Sequence, residues 1–158
     1  MAMLRTKVIV NPVAGAYSTR RKWPIISKLL ERLGLSFDFE YTQGVGHAIE
    51  LARAAASDGY RCLVAVGGDG TVNEVANGIL RSTNASTTVL GVVSTGTGSD
   101  FVRSVGIPRN YTAACSVLTS SRRLSIDVGV VEYQRKGQTW QRFFVNAAGV
   151  GFDATVVE

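Results

Sequence analysis

The chain has 158 residues, 46% of them hydrophobic and 18% charged, with a formal net charge of +5. That length and apolar content suit a domain with a real core, and a mean hydropathy of +0.14 excludes a disordered chain. No apolar stretch approaches the ~20 residues of a membrane span, and Asn11-Pro12 breaks the short apolar run behind Arg5 and Lys7, so no secretory leader is expected.

Residues 7–10 read as the first strand, ended by a turn at Asn11-Pro12-Val13-Ala14-Gly15. The following helix carries Ile26, Leu29, Leu30 and Leu33 on one face and stops at Gly34. Pro24 belongs near its first turn, where a missing N–H is no loss. Arg20, Arg21 and Lys22 either meet phosphate or are exposed helix-start residues. Residues 35–41 alternate apolar and polar, which predicts a strand with one buried face near a sheet edge, and Thr42 ends it as a turn residue. His47, the only histidine, begins the next helix, with Ala48, Leu51, Ala52 and Ala55 as its small inner face. A histidine can act as a general base, but no Ser or Cys partner motif accompanies this one, and a helix-start residue is the preferred reading.

The chain is organised around Gly67-Gly68-Asp69-Gly70-Thr71-Val72-Asn73-Glu74. It follows an apolar run at residues 62–66, a buried strand. It precedes Val72, Val75, Ala76, Ile79 and Leu80, one face of a helix. Thr71 and Glu74 fit the S/T-x-x-E capping box, so the helix is expected to start at Thr71. Three glycines among residues 67–70 remove the Cβ atoms that would keep a ligand off the backbone. A strand-to-helix turn of this kind, at the carboxyl end of a strand, attracts anions and phosphate above all. Asp69 would repel phosphate unless it holds magnesium, usually through water, or orients a hydroxyl. The plainer reading is a turn aspartate bonded to its own backbone.

Residues 89–93 form another buried strand, running into Ser94-Thr95-Gly96-Thr97-Gly98-Ser99-Asp100-Phe101, a second glycine-rich turn that opens a helix. Two such turns at neighbouring strand ends make opposite lips of one crevice, an argument for a nucleotide site that rests on no family. Gly106-Ile107-Pro108 breaks that helix, and Asn110 caps a short one carrying Tyr111, Ala114, Val117 and Leu118. Residues 124–133 then read as a strand, Lys136-Gly137-Gln138 as a turn, and residues 140–147 as the returning strand of an antiparallel hairpin. Asp127 is either an edge charge or a member of an acidic cluster with Asp69 and Asp100. The later Gly149-Val150-Gly151-Phe152-Asp153-Ala154 matches a dinucleotide fingerprint, which is discounted for want of a crossover helix and acidic partner.

Cys62 and Cys115 lie in apolar segments and read as buried free thiols, pointing to a reducing, cytoplasmic setting. The sequons at Asn84 and Asn110 are then chance matches. The basic clusters at Arg20-Arg21-Lys22, Arg122-Arg123 and Arg135-Lys136 suit phosphates or an anionic membrane surface, or are solvated faces. Nothing resembles a nucleic-acid platform, and no nucleic-acid partner is expected.

Gly67-Gly68-Asp69-Gly70-Thr71 followed by Asn73-Glu74 resembles the nucleotide-binding signature of the diacylglycerol kinase catalytic domain, a superfamily that includes bacterial lipid kinases, sphingosine kinases and ceramide kinases. NAD kinases and phosphofructokinases share the Gly-Gly-Asp-Gly core, and the Thr-x-Asn-Glu continuation favours the lipid kinases. The opening Asn11-Pro12 turn resembles the family's Asn-Pro-x-Ser/Ala-Gly motif beside the nucleotide. Gly96, Thr97, Asp100, Phe101 and Arg103 resemble its Gly-Thr-x-Asn-Asp-Phe-(Ala/Val)-Arg motif, with Ser99 where the family has asparagine. The Ile126-Asp127 context and the segment from Asn146 to Phe152 also resemble family motifs. Thr42 is near the nucleotide by the same resemblance. The resemblance covers nearly all of this chain but only the first part of the family's catalytic region. The chain is therefore expected to be a fragment, inactive alone, of a protein whose β-rich second domain supplies the rest of the lipid cleft.

The resulting expectation is an α/β fold, layered on a mostly parallel sheet and similar to NAD kinase and diacylglycerol kinase. Residues 1–122 would form a nucleotide-binding domain and residues 123–158 the start of an antiparallel β domain. The resemblance implies an ATP-dependent lipid kinase that transfers the γ-phosphate to a diacylglycerol-like hydroxyl in phospholipid metabolism. The alternatives are an NAD kinase-like small-molecule kinase and a non-catalytic nucleotide-binding module. Asp69 is the catalytic candidate. Asn11, Thr42, Gly67, Gly68, Asp69, Gly70, Thr71, Asn73, Glu74, Gly96, Thr97 and Asp100 are candidates for holding ATP, and Asp69 and Asp127 for magnesium. The lipid would be met peripherally at a membrane surface, and oligomers are compatible with this reading.

Overall fold

The structure is a computed structural model that describes residues 5–120 and 122–147. Three short apolar segments and one alternating segment become parallel strands: β1 (Thr6–Val10), β3 (Cys62–Gly67) and β4 (Val89–Ser94), with β2 (Phe37–Tyr41) the alternating one, in the spatial order β2-β1-β3-β4. Val8 stands opposite both Phe39 and Val64, which fixes the register of the central pair. Helices α1 (Ser18–Arg32), α2 (His47–Ser57) and α3 (Asp69–Leu80) connect them in turn, and α4 (Asp100–Ser104) and α5 (Tyr111–Leu118) follow β4. Successive strand residues feed opposite layers, as a sheet covered on both faces requires. Val8, Val10, Val64, Val66 and Val93 pack with Trp23, Ile26 and Leu30 of α1 and Cys115 of α5. Ile9, Leu63, Ala65 and Val92 pack with α2, α3 and α4 on the other face. The expected layered, mostly parallel sheet is what the chain forms.

On that second face α2 and α3 approach backbone to backbone. A Cβ at Gly78 would lie 2.4 Å from the Ile49 carbonyl oxygen and 2.5 Å from Ala52 Cβ. The alanine face of α2 serves this close seam, with Ala48, Ala52, Ala55 and Ala56 all buried.

Several boundaries differ from the sequence expectation. Helix α1 begins at Ser18, so Pro24 sits in its interior rather than its first turn. The early start is held by side chains: Ser18 Oγ donates to the Thr95 carbonyl at 3.0 Å and Thr19 Oγ1 to that of Ala14 at 3.1 Å. Pro24 deprives only the Arg20 carbonyl of a helical partner, on an exposed side of the helix. Strand β2 begins at Phe37 and is a sheet edge, with Phe37 and Phe39 against Trp23. Helix α3 begins at Asp69 after Gly68, not at Thr71. No capping box forms, because Thr71 Oγ1 accepts from Asn11 Nδ2 at 2.9 Å and Glu74 Oε1 from the Gly46 N–H at 3.0 Å.

The hairpin is β5 (Gly129–Arg135) and β6 (Gln138–Phe144), antiparallel, in a sheet of its own. Lys136 and Gly137, at φ 52 and 73, make the two-residue turn between them. Residues 122–128 are outside the strand, so Asp127 is an exposed residue of the approach segment and not a strand residue. The hairpin is tied to α3. Asn77, wholly buried, accepts the Phe143 N–H at 3.1 Å and donates to the Phe143 carbonyl at 2.8 Å. One turn later Arg81 donates to the Gln141 carbonyl at 2.8 Å. The glycine motif at residues 149–154 lies outside the described residues.

Candidate functional site

The chain leaves β1 toward β2 on one side and leaves β3 toward β4 on the other. The loops beyond β1 and β3 therefore diverge, and an open α/β sheet has its crevice at that point. A cleft of about 450 Å³ lies there. Asn11, Ala14 and Gly15 enter it from the end of β1, and Thr42 to Val45 from the end of β2. Gly68, Gly70, Thr71 and Glu74 enter it after β3, and Gly96 and Thr97 after β4.

The two glycine turns touch. The Thr95 N–H donates to the Gly67 carbonyl at 2.9 Å, continuing the β3–β4 pairing beyond the strand ends. A Cβ at Gly96 would stand 2.7 Å from Gly68 Cα. By contrast a Cβ at Gly70 would meet nothing within 4 Å. Gly96 is thus small for the sake of its neighbour, whereas Gly70 leaves open room at the start of α3.

Asn11 is the hinge pin of the first lip. Its N–H donates to the Val66 carbonyl, its Oδ1 accepts from Val13 N–H at 3.2 Å, and its Nδ2 reaches Thr71. Thr71 is buried against Gly67, where an added Cβ would lie 2.5 Å from Thr71 Oγ1. Glu74 fastens the loop after β2 through Gly46, and it is the only ionisable side chain among those lining the cleft. Anions there would meet backbone N–H groups, hydroxyls and the start of α3.

Of the expected residues, Asn11, Thr42, Gly68, Gly70, Thr71, Glu74, Gly96 and Thr97 come together in the cleft lining. Gly67 lies beneath them as the last residue of β3. Asp69 is used elsewhere: its Oδ1 accepts from Phe101 N–H at 3.1 Å and its Oδ2 from Asp100 N–H at 3.2 Å. Its carboxylate caps α4, not its own turn. Asn73 is on α3 outside the lining, its buried Oδ1 without a hydrogen-bond partner among the described residues. Asp127 does not complete an acidic cluster with Asp69 and Asp100, because among the described residues no three His, Cys, Asp or Glu side chains gather to hold a metal ion. Arg20, Arg21 and Lys22 do not line the cleft.

The sequence reading missed Gln43, Gly44 and Val45, which line the cleft from the loop after β2. The signal for them was the Gly44-x-Gly46 spacing just before a helix. His47 starts α2 as expected, and its Nδ1 accepts from Gln43 N–H at 3.0 Å, so it folds that loop back. Away from the cleft both cysteines are free, and burial pushes the Cys115 thiol up to about 11.

The family model for the diacylglycerol kinase catalytic domain matches residues 5–131. Over 147 residues the chain is 33% identical to a diacylglycerol kinase of Staphylococcus aureus (strain MRSA252), covering 93% of this chain and 44% of that protein. The figures are the same, 33% over 147 residues, for a diacylglycerol kinase of strain Newman. A crystal structure of a diacylglycerol kinase from Bacillus anthracis str. Sterne superposes with a TM-score of 0.72 at 26% identity, covering 89% of this chain and 49% of that one. The chain thus spans less than half the length of these relatives.

Proposed function

Since the chain belongs to the diacylglycerol kinase catalytic domain family, we propose that it carries the nucleotide-binding part of an ATP-dependent lipid kinase. The reaction is transfer of the γ-phosphate to the hydroxyl of a diacylglycerol-like lipid, met at a membrane surface. The observation that carries this reading is the cleft at the carboxyl ends of β1, β3 and β4, walled by two glycine turns in contact. A Cβ at Gly68 would approach only Gly96 Cα, at 3.7 Å, and one at Gly70 nothing within 4 Å. That room lets phosphate oxygens reach the backbone at the start of α3. Thr71 and Asn11 hold their side of the phosphates, and Gly96 with Thr97 covers the nucleotide from the opposite lip.

Asp69 is the residue in this site that would hold magnesium, usually through water, and the ion would supply neutralisation of phosphate charge. The donor set agrees with an ion held through water, since no three acidic or imidazole side chains gather among the described residues. Catalysis of this type is positioning and charge neutralisation. Each Asp69 oxygen accepts one N–H bond and keeps a lone pair. In this reading it would orient magnesium or the acceptor hydroxyl while holding α4 in place.

Calorimetric titration of the chain with Mg-ATP, beside Gly70→Val, tests the reading. Binding by the native chain and its loss in the variant are expected. A folded chain that takes up no Mg-ATP overturns it. For the acceptor, a protein containing this chain should move radiolabel from ATP into organic-extractable lipid and not into NAD.

A further inference from the structure

Beside the cleft, sharing Val45 as a wall, lies a second hollow of about 420 Å³ between the start of α2 and the end of α3. Two helices bring cations to it: Arg53 from α2, and Arg81 from the residue that closes α3. Among the described residues neither has an ion-pair partner. Glu50, three residues before Arg53 and also in the lining, makes no ion pair with it. One Nη of Arg81 is spent on the Gln141 carbonyl at 2.8 Å, which fixes that side chain and leaves its other N–H groups to the hollow's contents.

His47 is a third nitrogen-bearing residue of the lining. Its Nδ1 accepts the Gln43 N–H, so the neutral ring carries its proton on Nε2. Two arginines and a histidine among the residues lining one concavity offer N–H donors of the kind that the oxygens of a tetrahedral anion accept, against the single carboxylate of Glu50. The volume leaves room for such an anion together with several waters of about 30 Å³ each.

We propose that this second hollow binds a phosphate group, presented free or on the headgroup of an anionic phospholipid. The site stands apart from the nucleotide cleft and does not rest on the kinase reading. It draws on cations, whereas the cleft next to it draws on backbone N–H groups.

The test is an NMR titration of the ¹⁵N-labelled chain with inorganic phosphate, following the Nε–H resonances of Arg53 and Arg81 and the amides of Gly68, Gly70 and Gly96. Saturable shifts at both arginines are expected. Arg53→Ala should weaken the Arg81 response by about tenfold or more, as loss of a charge-assisted bond does, while Arg53→Lys restores part of it. Neither change should alter a phosphate response at the glycine amides. Co-sedimentation with phosphatidylcholine vesicles, with and without phosphatidic acid, identifies the source. Capture that needs phosphatidic acid and is lost in Arg53→Ala, but kept in Arg20→Ala, assigns a lipid headgroup. Saturable binding of free phosphate without vesicle capture assigns a soluble anion. Linear arginine shifts, or shifts unchanged by Arg53→Ala, with vesicle capture absent or indifferent to Arg53, overturn the proposal.

Discussion

The carboxylate of Asp69 caps a helix other than its own: Phe101 N–H lies 3.1 Å from its Oδ1. Asp69 opens α3 and Phe101 belongs to α4, so one side chain clips together the segments that follow the two glycine turns. Asp69→Ala should therefore lower stability by about 1–2 kcal/mol, the usual worth of such a cap. Asp69→Asn keeps one acceptor oxygen and should lose less. Urea unfolding of both variants measures this. In a protein containing this chain, Asp69→Asn should also abolish turnover if the carboxylate orients the acceptor. An asparagine variant of near-native stability and full activity would confine Asp69 to the structural role.

Gly70 and Gly96 should respond oppositely to alanine. At Gly70 the added methyl meets nothing and sits inside a helix, so stability should hold or rise by up to about 1 kcal/mol. Mg-ATP affinity should fall, because the methyl occupies the space that phosphate is proposed to fill. At Gly96 the methyl would lie 2.7 Å from Gly68 Cα, so thermal stability itself should drop. Equal stability losses at the two positions would contradict this assignment.

Ser99 is buried at φ 59, with its hydroxyl 2.7 Å from Ser94 Oγ. Ser99→Ala keeps the left-handed backbone and loses the bond. Ser99→Gly loses the bond but relieves the backbone, which is worth about 1–2 kcal/mol. The glycine variant should therefore be the more stable of the two in chemical denaturation, and the reverse order would show that the backbone there is not strained.

Asn77→Ala removes both partners of the Phe143 backbone. Amide exchange should accelerate at Phe143 and along β5 and β6, while β1, β3 and β4 keep their protection. Each orphaned buried group costs about 1–3 kcal/mol, which is enough to release a hairpin that has few other ties. Uniform acceleration through both sheets would mean that the hairpin and the parallel sheet unfold as one unit.

Burial raises the Cys115 thiol from 9.0 to about 11, and it raises that of Cys62 as well. Between pH 9.0 and about 11 the unfolded thiol has lost its proton while the folded one keeps it. The folded state then binds more protons, so stability is full below pH 9.0 and falls as pH rises through that window. Cys115→Ala, less stable at neutral pH, should show a shallower alkaline slope. A slope unchanged from the native chain would assign the alkaline loss to other groups.

What the sequence disclosed was what is local. Asn110 accepts from Thr112 and Ala113 N–H groups, as its position before a short helix predicts. The glycine turns after β3 and β4 announced a crevice because strand, turn and helix are each written in adjacent residues. Misplaced features were those decided by partners far along the chain. Thr71 looked like a cap until Asn11, 60 residues earlier, took its hydroxyl. The alternation at residues 124–128 resembled a strand, yet Gly129 is the first residue with a β6 partner. Asn77 carried no signal at all, since a polar residue on an apolar helix face has meaning only beside the backbone it pairs with.

Helix α3 joins a lip of the cleft at one end to the hairpin at the other, and Gly78 presses its backbone against α2 between Asn77 and Arg81. Twelve residues at about 1.5 Å each make a stiff rod of roughly 18 Å. Only the small Ala52 methyl and the α2 backbone meet Gly78, so the two helices are held closest at that point. Asn77 stands next to Gly78, so the hairpin is bonded to α3 at the place where that helix is packed most closely. The second sheet is thus fastened to the same rigid element that carries Gly70 and Thr71 into the cleft.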